Sequence, residues 1–411
     1  MNILFLSILD IPQGGMKNPG IYTDTLCQLK TMGHNVYVAC GHEKRTGIIK
    51  NLVSIDEGIT VLHVPIGDVT QTQYLKKGIN TVLLPNRFTN AIRKNFKDIN
   101  FDLILYATPP VTLCSTVKAL KKKYKAKTYL LLKDMWPEGI SSLGVIRKDG
   151  IIYKYFEHQE NAMYKVSDYI GCMSEACVQY LFKHHPQIPR ESIMVCPNSL
   201  APRDLSINEE EKKGIREKFD LPSNKILIAY GGNLGRAQGI DFLLSNLNRP
   251  DVPEEIHFVI IGSGLEYPRL KKHITDNKLE NVTLLERMAR EEYYKVMSSC
   301  DVGMILLNYK LTVPNTPSRT LDYMQAKIPV LACVDKVTDI GDIVEEGNFG
   351  WKCFSNDSDS FINILNKIKE GVDDIRGLGE NGYTYYLGHY TAEKTCKIII
   401  DAALARKAME G

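Results

Sequence analysis

A chain of 411 residues is too long for one comfortable core, and its 44% hydrophobic and 24% charged residues are those of an ordinary folded, soluble protein. A net charge of +3 is too small to argue for a nucleic-acid partner, and no apolar run approaches the roughly 20 residues that span a bilayer. Two domains are therefore expected.

The opening MNILFLSILD lacks a basic flank and is interrupted by Asp10, so 2–9 reads as a first strand and not as a secretion signal. A Gly/Pro loop and a helix near 20–33 follow, then strands at 36–40, 60–65, 103–108 and 128–136. Pro109 and Pro110 suit a helix entry. An amphipathic helix is expected at 151–166, with late strands ending in 168–175 and 192–199. Non-alternating apolar strands with helices between them specify a parallel sheet covered on both faces. The polar, proline-punctuated 200–224 reads as a hinge and the first helix of a second unit. Strands then recur at 225–232, 255–264, 281–288, 301–308, 328–334 and 350–354. The final HYTAEKTCKIIIDAALARKA is a helix with little room left in the second sheet.

The basic stretches 87–97 and 118–127 are either solvated helix faces or a surface attracted to an anionic membrane or a phosphate-bearing acceptor. The ten cysteines show no CxxC and no metal-type spacing. Cys172 and Cys333 sit in apolar runs, a pattern that fits a reducing cytosol. His34, His63, His158, His184 and His185 carry no recognisable ligand spacing.

In open α/β sheets ligands bind beyond the carboxyl ends of the strands, so a cleft between two such units is the default active site. GSGLEY (262–267) places Tyr267 where a dinucleotide fingerprint needs its third glycine, and LDIPQGGMKNPG is not GxGxxG, which excludes that class. KILIAYGGNLGRAQGIDFLL runs from a strand through a glycine turn into a helix, with Arg236 the one cation in the turn. In NTPSRTLDYMQ, Thr316, Pro317 and Ser318 suit a helix start, which leaves the amides of Ser318 and Arg319 for an anion. Asp322 lies one turn inside. Spacing alone leaves open a nucleoside diphosphate with its ribose on Asp322, or a capped surface helix with a solvated acid.

Taken in order, QGGMKNPGIYTDTLCQLKTMGHNVYVAC, VCPNSL, NVTLLERMAREEYYKVMSSCDVGMIL and RTLDYMQAKIPVLA resemble the glycine loop, Pro-Asn turn, base-binding segment and anion-binding helix of the retaining GT-B glycosyltransferases of family 4, or group 1. LKDMWPE (132–138) and GGNLGRAQG (231–239) resemble the subgroup that assembles O-antigen, capsule and related envelope polysaccharides. The resemblance covers nearly the whole chain. It implies an α/β GT-B fold of two Rossmann-like domains facing across a cleft: 1–200 for the acceptor and 201–387 for the nucleotide sugar, with a helix at 388–411 packing back on the first. It further implies transfer, with retention, of a sugar such as an N-acetylhexosamine from a UDP donor to a polyprenyl-diphosphate-linked glycan. The protein would be cytoplasmic, peripheral on the inner membrane face, and need no cofactor and no metal.

Carried over residue by residue, the resemblance gives Gly15, Gly232, Asn233, Arg236, Gln238, Gly262, Arg287, Met288, Pro317, Ser318, Arg319, Thr320 and Asp322 to the donor, and Gly14 and Lys133 to the acceptor. Asp134 is the candidate to position or accept the acceptor's hydroxyl proton, with Glu138 assisting; the alternative is that Asp134 caps the turn before Trp136. The chain departs from the family at its cations and at one acid. The family's two glutamates fall on Pro314 and Asp322, and its diphosphate-neutralising arginine and lysine fall on Asn233 and Gln238. Arg319 is therefore expected to stabilise the leaving group, ahead of Arg236 and Lys310. The rival readings are a UDP-sugar epimerase of the same fold, a phosphorylase dependent on pyridoxal phosphate, and a non-catalytic partner subunit.

Overall fold

A computed structural model describes residues 1–9, 11–69, 74–371 and 374–405. The chain forms two compact units, Met1–Ala201 with Ala392–Gly411, and Pro202–Thr391. Those boundaries fall one residue after the expected 200/201 and four after the expected 387/388.

In the first unit the strands are β1 (Asn2–Ser7), β2 (Asn35–His42), β3 (Leu52–Asp56), β4 (Ile59–Pro65), β5 (Leu103–Ala107), β6 (Lys127–Leu132), β7 (Tyr169–Cys172) and β8 (Ile193–Val195). They form one sheet in the order β3-β4-β2-β1-β5-β6-β7-β8. Ile3, Leu4, Phe5 and Leu6 are at most 1% exposed, as a strand covered on both faces requires. Burial of each such side chain contributes about 1.5–3 kcal/mol. Aspartates close the amino edge of the sheet. Asp102 Oδ2 accepts from Asn2 N–H at 2.8 Å, and Asp168 Oδ2 accepts from Thr128 N–H at 2.9 Å while its Oδ1 holds Lys121. Lys121 is thus spent on the fold, whereas Lys122, Lys123 and Lys125 of the same basic stretch are exposed.

β3, which is not among the strands expected from the sequence, pairs antiparallel with β4 through Glu57–Gly58, both with positive φ. That is a two-residue hairpin turn matching the strand twist. The expected strand 128–136 stops at Leu132, because the amides of Lys133 and Asp134 turn to Thr108 Oγ1 at 2.9 and 3.2 Å. The helix expected from 388 begins at Ala392. Residues 375–389 form a helix of the second unit instead. Along Ala392–Ala405, Cys396, Ile399, Ile400 and Ala403 enter the core formed by Ile3, Phe5, Leu26 and Leu29.

The second unit has β9 (Ile226–Asn233), β10 (Ile256–Ser263), β11 (Val282–Glu286), β12 (Val302–Leu306), β13 (Val330–Val334) and β14 (Gly350–Phe354), in the order β11-β10-β9-β12-β13-β14. Its first helix, Glu209–Lys218, starts at a reciprocal cap between Asn208 and Glu211, an arrangement that contributes about 1 kcal/mol. Arg216 in that helix donates from Nη2 to Asp301 Oδ2 at 2.8 Å, Lys212 reaches Oδ1 at 2.7 Å, and Leu227 N–H donates to Oδ2 at 2.8 Å. One carboxylate therefore seals the amino end of β9.

Candidate active site

At the other end of the second sheet, β9 finishes Gly231-Gly232-Asn233 and β10 finishes Gly262-Ser263, with Gly232 opposite Gly262. A Cβ on Gly262 would lie 1.9 Å from Gly232 O, and one on Gly231 would lie 2.4 Å from the Tyr293 ring. Gly232 itself has φ 127, which side chains rarely adopt. Side chains are thus excluded from the floor, and bare backbone lines a cavity of about 530 Å³. Its walls come from Arg287, Met288, Arg290, Ser318, Arg319 and Asp322. The first unit has a cavity of about 660 Å³, but it opens at the amino ends of the strands, around Asp168 and Ser192, and carries no such glycine floor.

Arg319 starts the helix Arg319–Gln325. Its guanidinium lies 4.3 Å from the Tyr230 ring centroid, a cation–π contact, and its Nη1 is buried with no hydrogen-bond partner among the described residues. Tyr230 and Tyr323 raise its basicity further, against the effect of burial. The Tyr323 hydroxyl accepts from Gly231 N–H at 3.2 Å and donates to Met304 O at 3.1 Å, tying the helix to the end of β9. Asp322 is 7% exposed. Burial pushes its carboxyl up to about 6, although Arg290, Arg319 and Arg203 draw it back. Arg290 approaches it at 3.5 Å and is held by the Tyr294 hydroxyl at 2.7 Å from its Nε.

The cavity therefore gathers Gly232, Asn233, Gly262, Arg287, Met288, Ser318, Arg319 and Asp322 from the predicted donor set. Arg236, Gln238, Pro317 and Thr320 are not among its lining residues. Arg236 is exposed, Gln238 Oε1 accepts from Gly235 N–H within the glycine turn, and the Thr320 hydroxyl turns back to Pro317 O. Pro314 is outside the lining as well. Sequence reasoning missed Arg290; a cation one turn before Tyr294 could have marked it, but its pairing with Asp322 is tertiary.

The other predicted residues belong to the first unit. Gly14 has φ 70 in a turn closed by Gly15 N–H to Pro12 O at 2.9 Å, and the next amide, that of Met16, donates to Asp56 Oδ2 at 2.8 Å. Asp134 follows the carboxyl end of β6. Its side chain is open to solvent, yet the protein packed around it lifts its carboxyl above the ordinary range, and Lys133 counters this. Glu138 is committed: Lys148 Nζ lies 2.8 Å from Oε2, and the Tyr153 hydroxyl donates to the same oxygen at 2.7 Å. Behind it, Glu160 is 5% exposed and its carboxyl is pushed up to about 8 by burial, with Tyr164 donating to it. Glu160 sits mid-helix and gave no sign in the sequence.

Residues 211–385 match the family of group 1 glycosyl transferases. The chain is a glycosyltransferase, and its second unit belongs to group 1. Two relatives carry related names. WbjE of Pseudomonas aeruginosa, named a glycosyltransferase, is 27% identical over 286 residues, 68% of each chain. WcaI of Escherichia coli K12, named a colanic acid biosynthesis glycosyl transferase, is 21% identical over 59% of this chain and 60% of its own length. The fold is that of HepE of Anabaena, solved in complex with UDP-glucose: TM-score 0.71 at 15% identity, covering 98% of this chain and 100% of that one. The glycosyltransferase thus consists of two Rossmann-like α/β domains of the GT-B type, and its cavity lies inside the matched group 1 segment.

Proposed function

We propose that this glycosyltransferase transfers a sugar from a UDP-linked donor, with retention, to a lipid-linked glycan in cell-surface polysaccharide assembly. The observation that carries the reading is the unpartnered Nη1 of Arg319 among the residues of a cavity floored by glycine backbone. A departing nucleoside diphosphate gains charge as the glycosidic bond breaks. A guanidinium fixed beside that charge stabilises it without reorganising. Arg319 takes the part that Asn233 and Gln238, being neutral, do not. Asp322 accepts from the ribose hydroxyls, and Arg290 holds its carboxylate in place. Among the first-unit residues, Asp134 orients the acceptor hydroxyl and takes its proton, with Lys133 beside it, while Glu138 braces the turn through Lys148 and Tyr153. The bound UDP-glucose of HepE and the colanic acid in the name of WcaI support the donor class and the product class, respectively. Peripheral docking on an anionic membrane through the exposed lysines of the basic stretches is part of the same reading.

The test is thermal shift with UDP, GDP, ADP, dTDP and CMP on wild type and Arg319→Ala. At about 100 times its dissociation constant a ligand adds about 2.7 kcal/mol to stability. UDP should stabilise the wild type and largely fail on the variant. If none of the panel shifts the wild type, the nucleotide-sugar reading is wrong; an equal UDP shift in both proteins removes Arg319 from it.

A further inference from the structure

Three side chains that the transfer reaction does not use converge at the carboxyl ends of β2 and β4. Cys40 and His42 lie two apart on β2, so they project from the same face, and His63 on β4 is the register partner of Cys40. All are at most 1% exposed. Cys40 Sγ lies 3.5 Å from His42 Nε2 and 3.8 Å from His63 Nδ1, and the two imidazole nitrogens are 2.6 Å apart. Two histidines and a cysteine thus turn their ligand atoms toward one point.

We infer that Cys40, His42 and His63 form a binding site for a zinc-class divalent cation. A tetrahedral ion with bonds of about 2.3 Å to sulfur and about 2.0–2.1 Å to nitrogen sets S···N edges near 3.6 Å and an N···N edge near 3.3 Å. Both S···N edges already have that length. Only the imidazole pair must open, by a fraction of an ångström to replace its hydrogen bond with two metal bonds. The donor set of one thiolate and two neutral imidazoles suits a borderline-soft ion and not magnesium or calcium. His63 is oriented from behind: its Nε2 lies 2.8 Å from Ser54 Oγ, so the tautomer with Nε2–H donating to Ser54 frees Nδ1 for the metal. Binding releases the thiol proton of Cys40 to solvent, and a fourth position is left for water. The ion would join β2 to β4 beside Ile11, whose carbonyl oxygen lies 3.9 Å from Cys40 Sγ.

The test strips the purified full-length chain with a chelator and titrates it with Co²⁺, then Zn²⁺. Wild type should bind one equivalent of Co²⁺ with a thiolate-to-metal charge-transfer band that Zn²⁺ displaces. Cys40→Ser should lose that band. Ser54→Ala should keep it but bind about 10–100-fold more weakly. X-ray absorption at the zinc edge of loaded wild type should show one sulfur and two imidazole scatterers, a readout that needs no variant to fold. Absence of the band in wild type, its retention in Cys40→Ser, or a zinc shell without sulfur would each overturn the site.

Discussion

At the carboxyl end of the second sheet, β9 and β10 bring glycine backbone to their last turns, and three arginines, Arg287, Arg290 and Arg319, share the cavity with a single buried carboxylate, Asp322. At the carboxyl end of the first sheet the corresponding positions carry side chains: Cys40 and His42 on β2, His63 on β4, and Asp134 after β6. One end offers N–H groups and fixed positive charge. The other offers groups that gain and lose protons or bind metal. A backbone floor suits an anion that needs no proton moved, while on the proposed function Asp134 would suit a hydroxyl that must lose one.

Breaking the amino edge of the second unit, away from its cavity, should have the largest effect on stability. Asp301→Ala leaves Arg216 buried without its partner and should cost about 3–5 kcal/mol, read as a fall in the denaturant midpoint. Arg319→Ala should instead leave stability near wild type and lower kcat by about 10²–10³-fold, measured as sugar transferred per enzyme. Equal losses of stability in the two variants would dissolve the distinction between edge and cavity.

Acidity sharpens the contrast further. In the unliganded chain Asp322 takes up its proton near pH 6 and not at 3.8. A ribose diol needs the ionised acceptor, so affinity for a UDP-sugar, whose own phosphates do not titrate there, should rise with pH through about 6 by up to about tenfold. Asp322→Asn should flatten that profile. The stability of the empty protein has the opposite sign. The native state holds a proton that the unfolded chain has released, so this contribution weakens as pH climbs from about 4 to about 6. The smallest effect is expected at Glu138→Gln, where loss of the Lys148 ion pair should cost about 1 kcal/mol or less and leave kcat within a few-fold. A loss of kcat as large as that of Arg319→Ala would return Glu138 to the chemistry.

The parallel strands were legible because burial on both faces writes them as unbroken apolar runs; NILFLS and LILYA need no partner to be recognised. β3 was not, since its side chains are exposed or half-exposed and its sequence carries no core face. In the site, the glycines and Arg319 showed through, being local to strand ends and a helix start. Arg290 did not, because its meaning comes from Asp322, 32 residues away. Cys40, His42 and His63 escaped for a related reason. Ligands on neighbouring strands of a parallel sheet are separated by a whole crossover, here 21 residues between the two histidines, and no short spacing rule spans that.

The helix Ala392–Ala405 has a consequence for the order of events during synthesis. Its Cys396, Ile399, Ile400 and Ala403 fill the core of a sheet whose first strand began at Asn2. All of the intervening second unit emerges from the ribosome before that core can be completed. The second unit, continuous in the chain, can finish as it emerges. The first must wait, part-open along the face that the last helix will cover, so its nascent form is the one that would need a chaperone.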